Sequence, residues 1–449
     1  MGDMHENINY DSLKEIQTEE GKLSDKLLAE KYIRECNLYS ANRRLYDLDG
    51  EIDVGFYRRD IANIVSIFQP NKINSRANDI LELIITLSHT SDVKVNKNEI
   101  PVKNGTLFVN GSEFSFSEEK RPSLYRLCCD YDPNAPEPKH FLGWVNGLLH
   151  EDDIPGFQEI MGYLLLPTTQ GQKAFFLIGV GEEGKSVWGW VLQHMLGNAF
   201  TPCKIPALEG DRFTMATIEN KLVAYDDDLN HKKLETTDNF KSIVTNKIMM
   251  QGERKGLDKF EFMPFARLCA CGNFTLSSLH DTSDGFFRRL YPIKVKNKPR
   301  DRVNISNYEE PMLDERPGIL NWCLIGLKRL IENDYRFSVS KRSENLIADI
   351  KQEGNSVIEF VETEVEFGES YRVTSTALNC AYVNYCRKND CVARAQKTVV
   401  QYLKDREDMF NIKYVKRAVG DARGFVGMRL KAHPQLFNLD EVLGGGKNE

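Results

Sequence analysis

The stretch "FFLIGVGEEGKSVWGW" (residues 175–190) sets four apolar residues, Phe175 to Ile178, directly before a glycine-rich run that ends in Gly184, Lys185 and Ser186, and an apolar, Trp-containing segment directly after it. Gly179, Gly184, Lys185 and Ser186 fit G-x-x-x-x-G-K-[ST], the pattern of a loop between a buried strand and a helix whose backbone N–H groups wrap phosphate oxygens. Glycine lets the backbone approach that closely. The loop residues Gly181, Glu182 and Glu183 and the first helical residue Val187 complete the expected cradle. The helix adds its positive dipole end, Lys185 reaches the β- and γ-phosphates, and the Ser186 hydroxyl sits on Mg²⁺.

At 449 residues and 51.5 kDa the chain has room for several domains, and 41% hydrophobic content is that of a globular protein. A net charge of −7 excludes a polycationic nucleic-acid coat, so any nucleic-acid contact has to be local. The opening "MGDMHENINYDSLKEIQTEEGKLSDK" lacks the pattern of a secretory signal, and no run approaches the apolar length of a membrane span. A cytoplasmic protein in a bacterial host, with no membrane partner, is expected. The ten cysteines include no C-x-x-C pair and no zinc spacing with His, which reads as reduced thiols. Cys269 and Cys271, in "RLCACGN", fall on one face of a buried strand.

Five regions follow from the patterning. Residues 1–100 form a mostly helical accessory region, in which "KLLAEKYIRECNLYSANRRLYDL" and "IANIVSIFQPNKINSRANDILELIITLSHT" both read as helical by their 3.6 spacing. Residues 101–170 hold hairpins around Asn104-Gly105 and Asn110-Gly111, a proline-rich linker "CCDYDPNAPEPKH", and a helical lead-in. Residues 171–300 alternate short apolar runs with helical pieces, the signature of a mainly parallel sheet covered on both faces. Residues 301–345 read as a helical lid or linker, and residues 346–449 as two helices followed by a strand pair.

Chemistry gathers downstream of the phosphate loop. "KLVAYDDDLN" ends an apolar strand in Asp226, Asp227 and Asp228; alone it reads as a solvated strand end, but after a phosphate loop Asp226 becomes a Mg²⁺ ligand and Asp227 a residue that orients the attacking water. "ARLCACGN" ends in Asn273, a polar side chain for the γ-phosphate or that water. "HDTSDGFFRRLYPIKV" brings Arg288 and Arg289 to the start of another apolar strand, where an arginine supplied by a neighbouring subunit stabilises charge on a transferred phosphoryl group.

The order and spacing of "GVGEEGKS", "KLVAYDDDLN", "FKSIVTNKIMMQGERKG", "ARLCACGN" and "SDGFFRRLYPIKV" resemble the superfamily 3 helicases, specifically the phage, plasmid and poxvirus primase-helicase branch. The resemblance covers roughly residues 100–300. It implies an α/β fold with an AAA+ parallel-sheet ATPase core, usually a homohexameric ring that uses ATP and Mg²⁺ to pull one DNA strand through its pore with 3′ to 5′ polarity. Carried over by position, Lys185 and Ser186 hold phosphate and metal, Asp226 and Asp227 are the acidic pair, Asn273 is the polar sensor, and Arg289, with Arg288 beside it, is the finger in trans. The segment from Lys241 to Lys255 resembles the family's pore hairpin, with Lys247, Arg254 and Lys255 as its DNA contacts. Three departures stand out: Glu183 replaces the usual asparagine, Asp227 the usual glutamate, and "TNK" a common Gly-Asp turn. The first hundred residues show no acidic cluster or zinc knuckle of a primase, so a separate primase or host replication proteins are the expected partners.

From Cys391 to Lys431 ten Lys or Arg face four Asp or Glu, a local basic excess on an acidic chain. Helix followed by basic strand pair suits a winged-helix domain. In it "ARAQKTVVQYLKDR", with Arg394, Gln396 and Lys397, is the recognition helix on double-stranded DNA, and Lys416, Arg417 and Arg423 are the wing on the phosphates. The expected function is an ATP-dependent replicative DNA helicase and replication initiator of a phage, plasmid or integrated mobile element. A DNA-binding regulator whose ATPase controls assembly is the alternative.

Overall fold

The computed structural model describes residues 10–431 except 91–92, 94, 230–233, 235, 257, 274, 277, 279–280, 282, 299–306, 355, 390–392 and 405–406. The chain divides into two compact units, Met1–Ile347 and Ala348–Glu449.

The first unit is built on a five-stranded sheet. Its strands are β1 (Ala174–Ile178), β2 (Phe200–Pro202), β3 (Val223–Leu229), β4 (Arg267–Gly272) and β5 (Leu290–Lys294), in the order β5-β1-β4-β3-β2. Every pairing is parallel. β1 and β4 are buried along their whole length, as strands covered on both faces must be, which is why "AFFLI" and "RLCACG" carry so few polar residues. The register Cys269↔Phe175 and Leu290↔Ala174 brings Ile178, Gly272 and Lys294 to one end of the sheet. β1 feeds its helix and then the far edge β2, while β4 and β5 come to lie on either side of β1. Its carboxyl end is therefore a topological switch point, where open α/β sheets bind ligands.

The helical lead-in forms as read, as helices Lys139–Leu148 and Ile154–Tyr163. The second packs on helix Arg316–Glu332 at glycine contacts: a Cβ at Gly162 would meet Cys323 O at 2.3 Å, and one at Gly326 would meet Gln158 O at 2.2 Å. The buried Glu159 carboxylate joins them, accepting from Arg329 Nε at 2.6 Å and from Ser338 N at 2.7 Å.

One expectation is refined and another corrected. The proline-rich stretch expected as a linker does run without helix or strand up to Lys139, but its first residues are pinned to the core, Cys128 N–H donating to Met195 O at 2.8 Å and Cys129 being buried. Apolar side chains upstream of the prolines found a core to enter. In the N-terminal region helices Asp25–Glu35, Val54–Phe68 and Ile73–Leu87 share a core of Leu28, Ile61, Ile64, Ile80 and Ile84, but the first of the two long segments is not helical throughout. Its second half is a hairpin, Tyr39–Ala41 with Arg44–Asp47. Asn42 and Arg43 carry φ of 52° and 60°, the two positive values of a type I′ turn.

The second unit has an antiparallel sheet of Val365–Thr374, Ala422–Leu430 and Lys413–Val419, in that spatial order. Helices Ser356–Glu364, Ser375–Lys388 and Gln396–Lys404 contribute Phe360, Leu378, Tyr382 and Leu403 to a core closed by Phe425 and Met428. Among the described residues no helix is long and apolar enough to cross a membrane.

Candidate nucleotide site

The strand, loop and helix expected around Lys185 form as β1, residues 179–185 and helix Ser186–Leu196. Positive φ at Gly181 (127°) and Gly184 (94°) turns the loop back on itself. Three contacts fix it: Trp144 Nε1 donates to Gly184 O at 3.0 Å, Gly179 N–H to Gly272 O at 3.0 Å, and Cys271 Sγ to Lys185 O at 3.4 Å. Burial pushes the Cys271 thiol up to about 12, which keeps it a protonated donor.

The loop holds its own anion. Glu183, only 3% exposed, accepts from Gly181 N–H at 2.8 Å and from Lys185 Nζ at 2.5 Å. Burial works to raise its carboxyl, but these bonds outweigh burial and hold it below the usual carboxylate range. Glu182 points away and pairs with Lys298 at 2.7 Å.

Across the site, β3 brings up Asp226, buried, and Asp227, exposed, from its middle rather than its end: Asp226 pairs with Ala270 and the strand runs on to Leu229. Lys204, just past β2, reaches both: its Nζ is 2.8 Å from Asp226 Oδ1 and 2.9 Å from Asp227 Oδ1. Against the cost of burial, the two carboxylates push the lysine up, and its ammonium holds Asp227 down. Ser186, Lys204, Asp227, Trp190, Phe200 and Tyr225 line one cavity of about 460 Å³. The start of the helix that follows the loop and the acidic strand, far apart in sequence, thus border a single space. Asn273 follows β4 at the same end of the sheet and is exposed.

Ser186 with Asp226 and Asp227 is an all-oxygen donor set, and a cation already stands on the two carboxylates, so the residues fit Mg²⁺. Among the described residues no three His, Cys, Asp or Glu form a metal cage of their own.

The two arginines lie elsewhere. Arg288 and Arg289 precede β5, at the amino end of the strands, where Ala174 N–H donates to Arg289 O at 2.8 Å. Strand length alone separates them from the loop by about 13 Å at ~3.3 Å per residue. They differ in access. Arg288 is exposed, whereas Arg289 is 8% exposed and donates Nη1 to Gly285 O. Burial, and then Arg288 beside it, lower Arg289 from its ordinary value.

The hairpin segment folds as Met250–Gly252 paired with Phe260–Phe262. Lys247 and Lys255 are exposed, Lys255 in the tip. Arg254 is half-buried, paired with the buried Glu219 and 4.2 Å over the Phe260 ring. In the second unit Gln396, Lys397, Lys416, Arg417 and Arg423 are exposed, with Arg417 3.2 Å from Asp421, and Arg394 is half-buried. Asp405 and Arg406 of the expected recognition helix lie outside the described residues.

Sequence reading missed Lys204 and Trp144. Neither carries a signal: Lys204 follows a three-residue edge strand, and Trp144 is one apolar position of a helix.

A family model described as a family of unknown function (DUF5906) matches residues 177–289, the span from β1 to Arg289. No curated protein sequence matches the chain. Among solved structures, the apo C-terminal region of NrS-1 (305–718) aligns with a TM-score of 0.50 at 12% identity, over 90% of this chain and 99% of that one. The chain shares its fold with that region. A second form of the same NrS-1 region gives 0.48 at 11% identity, over 90% and 100% of the two chains. JCV helicase bound to a thiazolopyridine acetamide gives 0.28 at 14% identity, over 51% and 66%.

Proposed function

We propose that the protein is an ATP-hydrolysing DNA helicase, 3′ to 5′ in polarity and homohexameric in its working form, that serves as a replication initiator of a mobile element. The observation that carries this reading is the convergence of Ser186 and Asp227 on one cavity at the carboxyl end of a five-stranded parallel sheet. Bound Mg²⁺ would offset charge on the β- and γ-phosphates. The chain's own residues do the rest: the loop amides and Lys185 bind phosphate, Asp226 and Ser186 hold the metal, and Asp227, open to solvent, orients water toward the terminal phosphorus. Asn273 at the neighbouring strand end supports the same water.

A DNA role is supported by the exposed lysines of the hairpin segment and by the exposed cations of the second unit. Within it helices Ser375–Lys388 and Gln396–Lys404 precede the strands Lys413–Val419 and Ala422–Leu430, the order expected of a winged helix. Lys247 and Lys255 would grip single-strand phosphates, while Gln396 and Lys397 read base edges and Lys416, Arg417 and Arg423 hold the duplex backbone.

The test is ATP hydrolysis with and without single-stranded DNA, together with strand displacement on a forked substrate. Wild type should show both, and Lys185→Ala should lose about a hundredfold or more of the turnover with an unchanged thermal melt. DNA-independent turnover without displacement would overturn the helicase reading. Undiminished turnover in Lys185→Ala would overturn the nucleotide site.

A further inference from the structure

Neither the phosphate-loop pattern nor the family resemblance accounts for Lys204. Its Nζ has three oxygens around it, Asp226 Oδ1 at 2.8 Å, Asp227 Oδ1 at 2.9 Å and Asp228 O at 3.4 Å, the kind of oxygen environment a hard cation takes. The buried partner is not free to turn away. Asp226 has 1% of its side chain exposed, and Ile205 N–H fixes its other oxygen at 3.0 Å, so Oδ1, which takes only a longer 3.4 Å bond from Asp228 N–H besides, is the face left for a ligand and Lys204 holds it. Lys204 itself is 55% exposed on its side chain and lines the cavity shared by Ser186 and Asp227, which gives its flexible stem room to leave.

We infer that Lys204 is a built-in cation that neutralises the acidic pair until Mg²⁺ enters with the nucleotide, and that it then turns to an oxygen of the terminal phosphate across the same cavity. This rests on the nucleotide-site reading above. A divalent ion and an ammonium on one carboxylate oxygen repel each other strongly in a partly desolvated site. Metal entry therefore displaces Lys204. The displacement is easier when a γ-phosphate is present to receive the ammonium, so metal and triphosphate favour each other, whereas a diphosphate leaves the lysine without an acceptor. Lys204 thereby becomes a positioning residue that discriminates tri- from diphosphate.

The experiment measures binding of methylanthraniloyl-labelled ADP and of a non-hydrolysable ATP analogue to the full-length protein as Mg²⁺ is titrated. In Lys204→Met the Mg²⁺ midpoint with the diphosphate should fall by about threefold or more, as expected on removal of a competing partly exposed ion pair, and the preference for triphosphate should narrow. Lys204→Arg keeps a cation and should stay close to wild type on both readouts. Thermal melts without nucleotide establish that the variants are folded, and a merely structural lysine would move the melt but not the midpoint. An unmoved or raised midpoint in a folded Lys204→Met protein overturns the role given to Lys204. Wild-type protein that shows no Mg²⁺-dependent nucleotide binding overturns the nucleotide site beneath it instead.

Discussion

Glu183 occupies the phosphate loop as a phosphate oxygen would, taking one loop N–H and the Lys185 ammonium through its two carboxylate oxygens. Under the proposed function, binding a nucleotide means breaking a charge-assisted bond before making new ones. Glu183→Gln keeps the shape and an acceptor for Gly181 N–H but releases Lys185, so nucleotide affinity should rise about fivefold, the order of one modest ionic hydrogen bond. Equilibrium binding of a labelled nucleotide checks this. The same residue has a defined pH signature. Its folded carboxyl is held below the ordinary 4.5, so the stability it lends is present above that pH and is lost as pH falls through the lower folded value. Thermal melts of wild type and Glu183→Gln should differ at neutral pH and converge as pH falls well below 4.5; a gap that widens in acid would contradict the assigned direction.

At the scale of elements, legibility tracked how much of a segment's conformation its own residues dictate. β1, the loop and its helix were readable because a buried strand, a loop needing positive φ and a helix start each impose a composition, and all three coincide at residues 175–190. The hairpin Tyr39–Asp47 was not, because "LYSANRRLY" keeps apolar residues at helical spacing and only the Asn42-Arg43 turn betrays it. β2 is three residues long and shows no alternation, so the lysine it delivers to the acidic pair was invisible as well. Packing between helices is the least legible. Gly162 and Gly326 look like poor helix residues, yet each lies against the other helix's backbone. Gly326→Val should therefore destabilise the protein by about 1–3 kcal/mol, the usual cost of overpacking with no room to relax. Urea unfolding followed by tryptophan fluorescence measures it, and a shift under half a kcal/mol would mean that the helices separate without cost.

For the whole molecule, the parallel sheet separates two things that the proposed phosphoryl transfer needs. The phosphate loop leaves the carboxyl end of β1, and Arg288 enters the amino end of β5, its immediate neighbour, with Leu290 level with Ala174. A cis arginine would have to span the sheet, so under the proposed function Arg288 is expected to act on the nucleotide of another copy of the chain. Access separates Arg288 from its neighbour: Arg289, which matches the family pattern by position, is buried and donates to Gly285 O, while Arg288 is exposed, so we predict that Arg288 is the one to reach outward and Arg289 the one to brace the turn before β5. Arg288→Ala and Asp227→Ala proteins should each be inactive alone. Mixed in equal amounts, about a quarter of the interfaces in random rings would join an intact arginine to an intact acidic site, and hydrolysis should recover accordingly. Arg289→Ala should instead lower the melting temperature. Mixed assemblies, demonstrated by labelled subunits, that recover no activity would require the arginine to act within its own chain, which the strand geometry forbids, and would remove Arg288 from the reaction altogether.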